Sequence, residues 1–252
     1  MRNLLLKIRY DGSGYHGWAR QKDLRTVCGR LEEVLSAYFK TDIKLEGASR
    51  TDAGVHAYGN IAVFDTASSI PGEKFSFALN HILPDDIRVV ASRDVAPDFH
   101  PRHCDTEKTY EYRVLNTQFE IPVKRHYTYH FSMPLDVDVM QEAGNYLVGE
   151  HDFTSFCNVQ SQALTHVRTI KDVRVRREGD EVIISVTGNG FLYNMVRIIA
   201  GTLLQIGRGK GKPSDITGML DAKDRSAAGP TAPPQGLFLM EYKFLNGIPG
   251  PL

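Results

Sequence analysis

Hydrophobic positions in the first hundred residues follow two different spacings. The run over 4–10 is short and mixes aliphatic and aromatic residues, as expected of a strand, whereas Val27, Leu31, Leu35 and Tyr38 recur at the spacing of a helix. The same criteria predict strands over 4–10, 42–45, 60–64 and 87–90, and helices over 27–38 and 75–83. This βαββαβ order favours a split-βαβ, ferredoxin-like sandwich with helices on one face of an antiparallel sheet.

The second half of the chain has a similar plan. Strands are predicted over 110–115, 126–131, 169–177, 181–187 and 236–244, and helices over 137–147, 191–206 and 213–220. The helix over 191–206 is almost entirely apolar, so we expect it to be central, and Arg197 is its only charged residue. The predicted fold class is therefore α+β, with two sandwich halves of mainly antiparallel sheet. Their bounds are 1–104 and 105–246, followed by a tail over 247–252.

Composition narrows the class of protein but not its partner. Of 252 residues, 42% are hydrophobic and 24% charged, as in an ordinary globular protein. Lys and Arg number 30 and Asp and Glu number 30, so the net charge of zero indicates no partner by itself. No membrane span is expected, because Asn194 and Arg197 break the longest apolar run. The start does not read as a signal peptide, and three cysteines suit a reducing cytoplasm.

A glycine-rich segment follows the first predicted strand. Residues 12–17, Gly-Ser-Gly-Tyr-His-Gly, match the G-x-G-x-x-G pattern that seats a pyrophosphate at the start of a helix. Here the residues over 18–23 are polar and aperiodic, and the helical pattern begins only at Val27. A polynucleotide surface suits the segment better, because rings stack on bases and cations bind phosphates. The candidate residues are Tyr15, His16, Trp18, Arg20 and Gln21. An ordinary surface turn and an NAD(P) oxidoreductase remain open alternatives.

The segment over 47–57 carries the strongest chemical signal. It lies between predicted strands and combines small residues with Arg50, Asp52 and His56. A nearby guanidinium keeps a carboxylate ionised, and an ionised Asp is a competent nucleophile. A turn-capping Asp beside a surface Arg would explain a bare Arg-Thr-Asp, but not the whole eleven-residue string.

This string resembles the catalytic motif of the TruA family of tRNA pseudouridine synthases, and the resemblance covers nearly the whole chain. Five separated motifs occur in family order, at 10–12 with 15–18, 47–57, 108–113, 191–197 and 232–237. The resemblance implies a pseudouridine synthase fold with an active-site cleft between its two RRM-like halves. Two positions depart from the family pattern, because Ala19 stands where Gln is common and Asn194 where many members have His.

The resemblance also implies roles for individual residues. It makes Asp52 the catalytic residue and Tyr110 the ring stacked on the target base. Arg197 is implied as the basic partner of Asp52, Leu237 as an apolar pocket wall, and Arg50 as a helper that reaches toward the RNA. Three further residues are RNA-binding candidates, namely Arg20, Gln21 and His56.

Two of these roles have alternatives in the residues themselves. Tyr110 lies in a strand pattern, so a plain core aromatic is equally compatible with its spacing. A buried, unpaired guanidinium would be costly, so Arg197 should have a carboxylate partner, for which Asp52 is the candidate. The alternative is that Arg197 faces solvent at the edge of its helix.

The predicted activity is isomerisation of uridine to pseudouridine in the anticodon stem-loop of tRNA, at tRNA positions 38, 39 and 40, through an essential Asp. No cofactor and no metal are expected, because the reaction exchanges one bond for another within a single nucleotide. The predicted enzyme is cytoplasmic, has tRNA as its partner and acts as a homodimer. An NAD(P) oxidoreductase and a non-catalytic RNA-binding module are the alternatives.

Overall fold

A computed structural model describes residues 1–247, and the predicted tail lies outside this range except for its first residue. The chain forms two compact units, one of Met1–Thr106 with the residues from Leu239 onward, and one of Glu107–Phe238. The predicted division differs at the C-terminal end, because the last strand from Leu239 onward belongs to the first unit. Within residues 1–247, no helix is both long enough and apolar enough to cross a membrane.

The first unit contains the predicted βαββαβ order. Its elements are β1 (Arg2–Tyr10), α1 (Val27–Phe39), β2 (Glu46–Gly47), β3 (His56–Thr66), α2 (Phe75–Asn80) and β4 (Ile87–Val95). The strands lie in the order β4-β1-β3-β2, and every pair is antiparallel. Leu5, for example, lies opposite Val63 on β3 and Arg93 on β4. This confirms the antiparallel α+β plan for this half.

Helix α1 shows why one predicted strand is nearly absent. The helix begins where Thr26 Oγ1 accepts a hydrogen bond from Gly29 N at 3.2 Å. Further along, its side chains reach back to the following segment: Ser36 Oγ accepts from Ile43 N at 2.9 Å, and Glu32 Oε1 accepts from Leu45 N at 2.6 Å. The segment over 42–45 was predicted as a strand, and this was wrong. Two of its backbone donors are occupied by the helix, so pairing with β3 is confined to β2.

The second unit is built on strands that are also largely antiparallel. Its elements are β5 (Thr106–Leu115), β6 (Tyr129–His130), α3 (Val137–Asn145), β7 (Gly149–Asp152), β8 (Val167–Glu178), β9 (Glu181–Gly188), α4 (Met195–Gly207), α5 (Asp215–Ala222) and β10 (Leu237–Phe244), which continues into the first unit. The order is β5-β9-β8-β7, with β6 parallel to β5. The strand predicted over 126–131 shrinks to β6, because the amides of Tyr127 and Thr128 both donate to Lys124 O in a turn.

Helix α4 is the apolar centre of the second unit, as predicted. It starts at Met195 rather than at 191, because Asn194 adopts the left-handed conformation with φ of 61°. The helix packs closely on the chain that precedes β10. A Cβ on Gly201 would overlap Pro230 O, and Thr202 Oγ1 accepts from Gly229 N at 2.9 Å. This contact fixes the start of the segment over 229–237 against α4.

We expect Gly201→Ala to lower the free energy of unfolding by about 2–3 kcal/mol, because its methyl group would overlap the main chain of the neighbouring segment. The matched control is Gly218→Ala in α5, where a Cβ would meet nothing within 4 Å. That substitution should raise stability by up to about 1 kcal/mol through helix propensity. Urea unfolding of both variants measures the difference, and equal stabilities would contradict the close contact.

Candidate active site

Asp52 lies in the loop between β2 and β3, which we call the Asp52 loop and define as residues 48–55. The loop closes on itself, because Val55 N donates to Asp52 O at 3.2 Å. It is also tied to the preceding glycine-rich segment, where Tyr15 O accepts from Gly54 N at 3.1 Å. The loop is therefore anchored through the main chain, and Asp52 within it is partly exposed.

The glycine-rich segment over 12–17 is shaped to fit against the Asp52 loop. A Cβ on Gly12 would overlap Val55 O. Gly17 has a φ of +87°, and a Cβ there would lie 2.7 Å from Thr51 O. Trp18 N donates to the same Thr51 O at 3.0 Å. These glycines therefore allow two stretches of backbone to touch, and the helix that a pyrophosphate site needs begins only with α1.

Two aromatic rings of this region are not available to an RNA. Tyr15 is 3% exposed and Trp18 is 2% exposed. The Tyr15 hydroxyl donates to Asp86 Oδ1 at 2.7 Å, and the Arg25 guanidinium lies 4.4 Å from the centre of its ring. The expectation that these rings stack on bases was therefore wrong, because both rings are packed inside the first unit.

His56 also differs from its predicted role. The side chain is buried, with 2% exposure, and its Nδ1 accepts from Gly12 N at 3.1 Å. Asp11 Oδ1 lies 3.2 Å from the same nitrogen. A ring in this position does not fit the predicted direct contact with RNA. It instead joins the start of β3 to the glycine-rich segment.

The three cationic or amide candidates of the first unit lie at its surface. The Arg20 Nη1 atom is 2.9 Å from Oε1 of the largely buried Glu32, so this guanidinium balances a buried carboxylate. Gln21 Nε2 donates to His16 O at 2.7 Å, and Arg50 is exposed. The RNA-binding roles of Arg20, Gln21 and Arg50 stay predictions.

In the second unit, Tyr110 lies on β5 and is 8% exposed. Its ring meets Phe191 edge to face, with centroids 5.2 Å apart and planes at 83°. This contact joins the motif over 108–113 to the motif over 191–197. It also fixes the orientation of the Tyr110 ring, since an edge-to-face pair favours one arrangement.

Arg197 connects α4 to the segment that leads into β10. Its Nε donates to Ala232 O at 2.7 Å and its Nη1 to Asn194 Oδ1 at 2.8 Å. Arg197 is therefore not simply a solvent-facing residue at the edge of its helix. Its side chain is only partly exposed and donates hydrogen bonds to two residues of its own unit. Asn194, one of the two departures from the family pattern, both provides the left-handed residue before α4 and orients this guanidinium.

Leu237 is held at the far end of the same segment. It is 5% exposed as the first residue of β10. The Tyr112 hydroxyl donates to Pro233 O at 2.7 Å, and burial raises the pKa of this phenol so that it keeps its proton. A Cβ on Gly236 would lie 2.7 Å from Arg113 O. The segment over 232–237 is thus fixed at both ends.

The structure therefore brings the five motifs into two groups. In the first unit, the motif over 10–18 supports the motif over 47–57. In the second unit, contacts of Tyr110 and Arg197 link the other three. Sequence reasoning did not single out Phe191, which contacts Tyr110, or Asn60, which is fully buried on β3. The signal for Asn60 was a polar residue in the otherwise apolar strand predicted over 60–64.

Comparison with known proteins shows to which family the chain belongs. A family model described as tRNA pseudouridine synthase matches residues 7–103 and 143–244. The chain belongs to this family. The predicted resemblance is confirmed, and with it the prediction of an isomerase that converts uridine to pseudouridine in tRNA.

Individual relatives agree with the family match. A tRNA pseudouridine synthase A of Acetivibrio thermocellus is 48% identical over 97% of this chain and 100% of that protein. The corresponding protein of Thermoanaerobacter sp. is 45% identical over 96% of this chain and 99% of its own length. That of Halalkalibacterium halodurans is 48% identical over 98% and 94%. The similarity therefore spans both units.

We expect Gly17→Ala to reduce turnover by about a hundredfold. The added methyl group would lie 2.7 Å from Thr51 O, and alanine is strained at a φ of +87°, so the Asp52 loop has to shift. The matched control is Gly14→Ala in the same segment, where a Cβ meets only Arg25 Nη1 at 3.5 Å, an ordinary contact. Pseudouridine formation in unmodified tRNA measures both rates. Similar activity of the two variants would show that the close approach does not govern the loop.

Proposed function

We propose that the chain isomerises uridines on the 3′ side of the tRNA anticodon arm, at tRNA positions 38, 39 and 40, and that Asp52 is the essential catalytic residue. The observation that carries this proposal is the anchored loop that presents Asp52, in a chain belonging to the tRNA pseudouridine synthase family. The anticodon-arm positions follow from the resemblance to the TruA family.

The chemistry needs one carboxylate and no external reactant. A C–N glycosidic bond breaks and a C–C bond forms between the same ribose and uracil, so no oxidant, reductant or phosphoryl donor is consumed. Asp52 has three possible first steps: attack on the anomeric carbon, attack on the uracil ring, or removal of a ribose proton to give a glycal. In each of them the carboxylate must be ionised when the uridine arrives.

The target uridine must leave its stack to expose the reacting atoms. Unstacking and unpairing cost a few kcal/mol. Tyr110 is proposed to compensate by stacking on the extruded base, a contact worth about 1–3 kcal/mol. The edge-to-face contact with Phe191 supports this role because it holds the ring in one orientation before the base arrives. Leu237 is proposed as the apolar wall against which the freed uracil turns.

Two guanidinium groups are proposed to assist. Arg197 serves as the basic partner of the Asp52 carboxylate, and its contacts with Ala232 O and Asn194 Oδ1 limit where its charge can lie. Arg50, exposed two residues before Asp52, is proposed to reach toward the RNA. Arg20 and Gln21 are proposed as surface contacts to the tRNA backbone.

The assembly and location follow from the substrate. We propose a homodimer that binds one tRNA, because two copies of a chain with zero net charge double the number of cationic groups along the RNA. We propose a cytoplasmic enzyme, because tRNA is made and used in that compartment.

We expect Asp52→Asn to bind tRNA as the wild type does and to lose more than about a thousandfold in turnover, because an amide keeps the shape of the carboxylate and removes its nucleophilicity. Chemical mapping of pseudouridine in unmodified tRNA measures turnover, and a gel-shift titration measures binding. The exposed Asp180→Asn in the hairpin between β8 and β9 is the charge-matched control. Undiminished modification by the Asp52 variant would refute the proposal.

A second prediction separates stacking from hydroxyl chemistry at Tyr110. Tyr110→Phe keeps the ring, so its rate should fall by no more than about tenfold, whereas Tyr110→Ala should lose more than about a hundredfold. Single-turnover rates with the same tRNA give the comparison. Equal rates for the two variants would contradict a stacking role and leave Tyr110 as a plain core residue.

A further inference from the structure

A fully buried amide lies beneath the Asp52 loop. Asn60, on β3, is 0% exposed. Its Nδ2 donates to Ser49 O at 3.1 Å, while its Oδ1 accepts from Ser49 N at 3.3 Å and from Ile61 N at 2.9 Å. The side chain thus pairs with the main chain of Ser49 as a neighbouring strand would. It fixes the residue immediately before Arg50.

A second buried group continues this network to the other side of Arg50. The Tyr10 hydroxyl, on a residue 5% exposed, accepts from Asn60 Nδ2 at 3.3 Å and lies 2.7 Å from Thr51 Oγ1. A phenol has one proton and two lone pairs, so either hydroxyl of the Tyr10–Thr51 pair can be the donor. Burial raises the pKa of Tyr10 above its ordinary value, which keeps that proton in place. The network therefore ends on the residue directly before Asp52.

The position of this network is informative because buried polar groups are costly unless they are hydrogen-bonded. An apolar residue would serve a core strand equally well at position 60, and the neighbouring Ile61 is itself fully buried. The polar side chains instead form a connected set whose endpoints are the main chain of Ser49 and the side chain of Thr51. Connected buried networks favour a single conformation of the chain they hold.

We propose that Asn60 and Tyr10 are positioning residues that fix the Asp52 loop from below and so aim the catalytic carboxylate. The inference rests on the proposed catalytic role of Asp52. Both side chains are buried, and their hydrogen bonds go to Ser49, Ile61 and Thr51 and to each other. Their effect is to reduce the number of conformations from which Asp52 reaches the uridine.

The first test is Tyr10→Phe, which removes only the hydroxyl. We expect kcat to fall about tenfold, with KM for tRNA within about twofold, because binding surfaces are unchanged and the carboxylate is less well aimed. The matched control is Tyr242→Phe in the same unit. Tyr242 is 4% exposed and its hydroxyl donates to Pro101 O at 2.6 Å, so a buried hydroxyl bond outside the network is lost, while the ring that packs with Ala48 is kept. This control should lose thermal stability and keep kcat.

The second test acts on the other end of the bond. Thr51→Val removes the hydroxyl that meets Tyr10 and keeps the shape, so it should reproduce the loss of kcat seen in Tyr10→Phe. Thr51→Ser retains the hydroxyl and should restore most of the rate. The double variant Tyr10→Phe with Thr51→Val should be no slower than either single variant, because both changes break one contact. These Thr51 variants keep the inference testable if Tyr10→Phe folds poorly.

The outcomes distinguish a failure of the positioning proposal from a failure of the proposed function. If Asp52→Asn is inactive while Tyr10→Phe and Thr51→Val turn over like Tyr242→Phe, the network is only structural and the inference is overturned. If Asp52→Asn itself remains active, the proposed function fails instead. A loss of kcat in both network variants, with rescue by Thr51→Ser, supports positioning.

Discussion

The close approach of two backbones is the constraint on which the candidate site depends. The glycine-rich segment and the Asp52 loop touch through main-chain atoms at Gly12 and Gly17. A methyl group at either position would meet the backbone of the Asp52 loop. This contact allows Trp18 N and Tyr15 O to bond directly to the Asp52 loop. The Asp52 loop is therefore held by main-chain atoms, which every residue possesses.

In the second unit, side chains hold the segment that precedes β10. Arg197 and Tyr112 each bond to a carbonyl oxygen of the segment that precedes β10, and α4 packs against the beginning of that segment. A helix as apolar as α4 has few polar groups with which to hold a loop. The Arg197 guanidinium consequently donates both to Ala232 O of that segment and to Asn194 Oδ1.

The features of the structure that local sequence pattern governs were predictable. The order of the first six elements, the start of α1 and the apolar character of α4 follow from spacing and capping, and the motifs identify the family. What was missed depends on contacts between distant positions. Tyr15, Trp18 and His56 are residue types typical of an RNA surface, yet all three are buried. Gly12 and Gly17 allow the chain that carries Tyr15 and Trp18 to lie against the Asp52 loop, and His56, at the start of β3, accepts from Gly12 N. The strand expected over 42–45 was lost because Glu32 and Ser36 of α1 occupy its donors. A periodicity of two or of 3.6 residues contains no information on either contact.

The buried network beneath the Asp52 loop contains only an amide, a phenol and a hydroxyl. Burial favours the neutral form of Tyr10, so its contribution is fully present below pH 10.0, the ordinary value for a phenol, and is lost only on further alkalinisation. The side chains of this network consequently carry no charge that changes through the acidic and neutral range. Any acid limb in a pH–rate profile then reports groups other than this network.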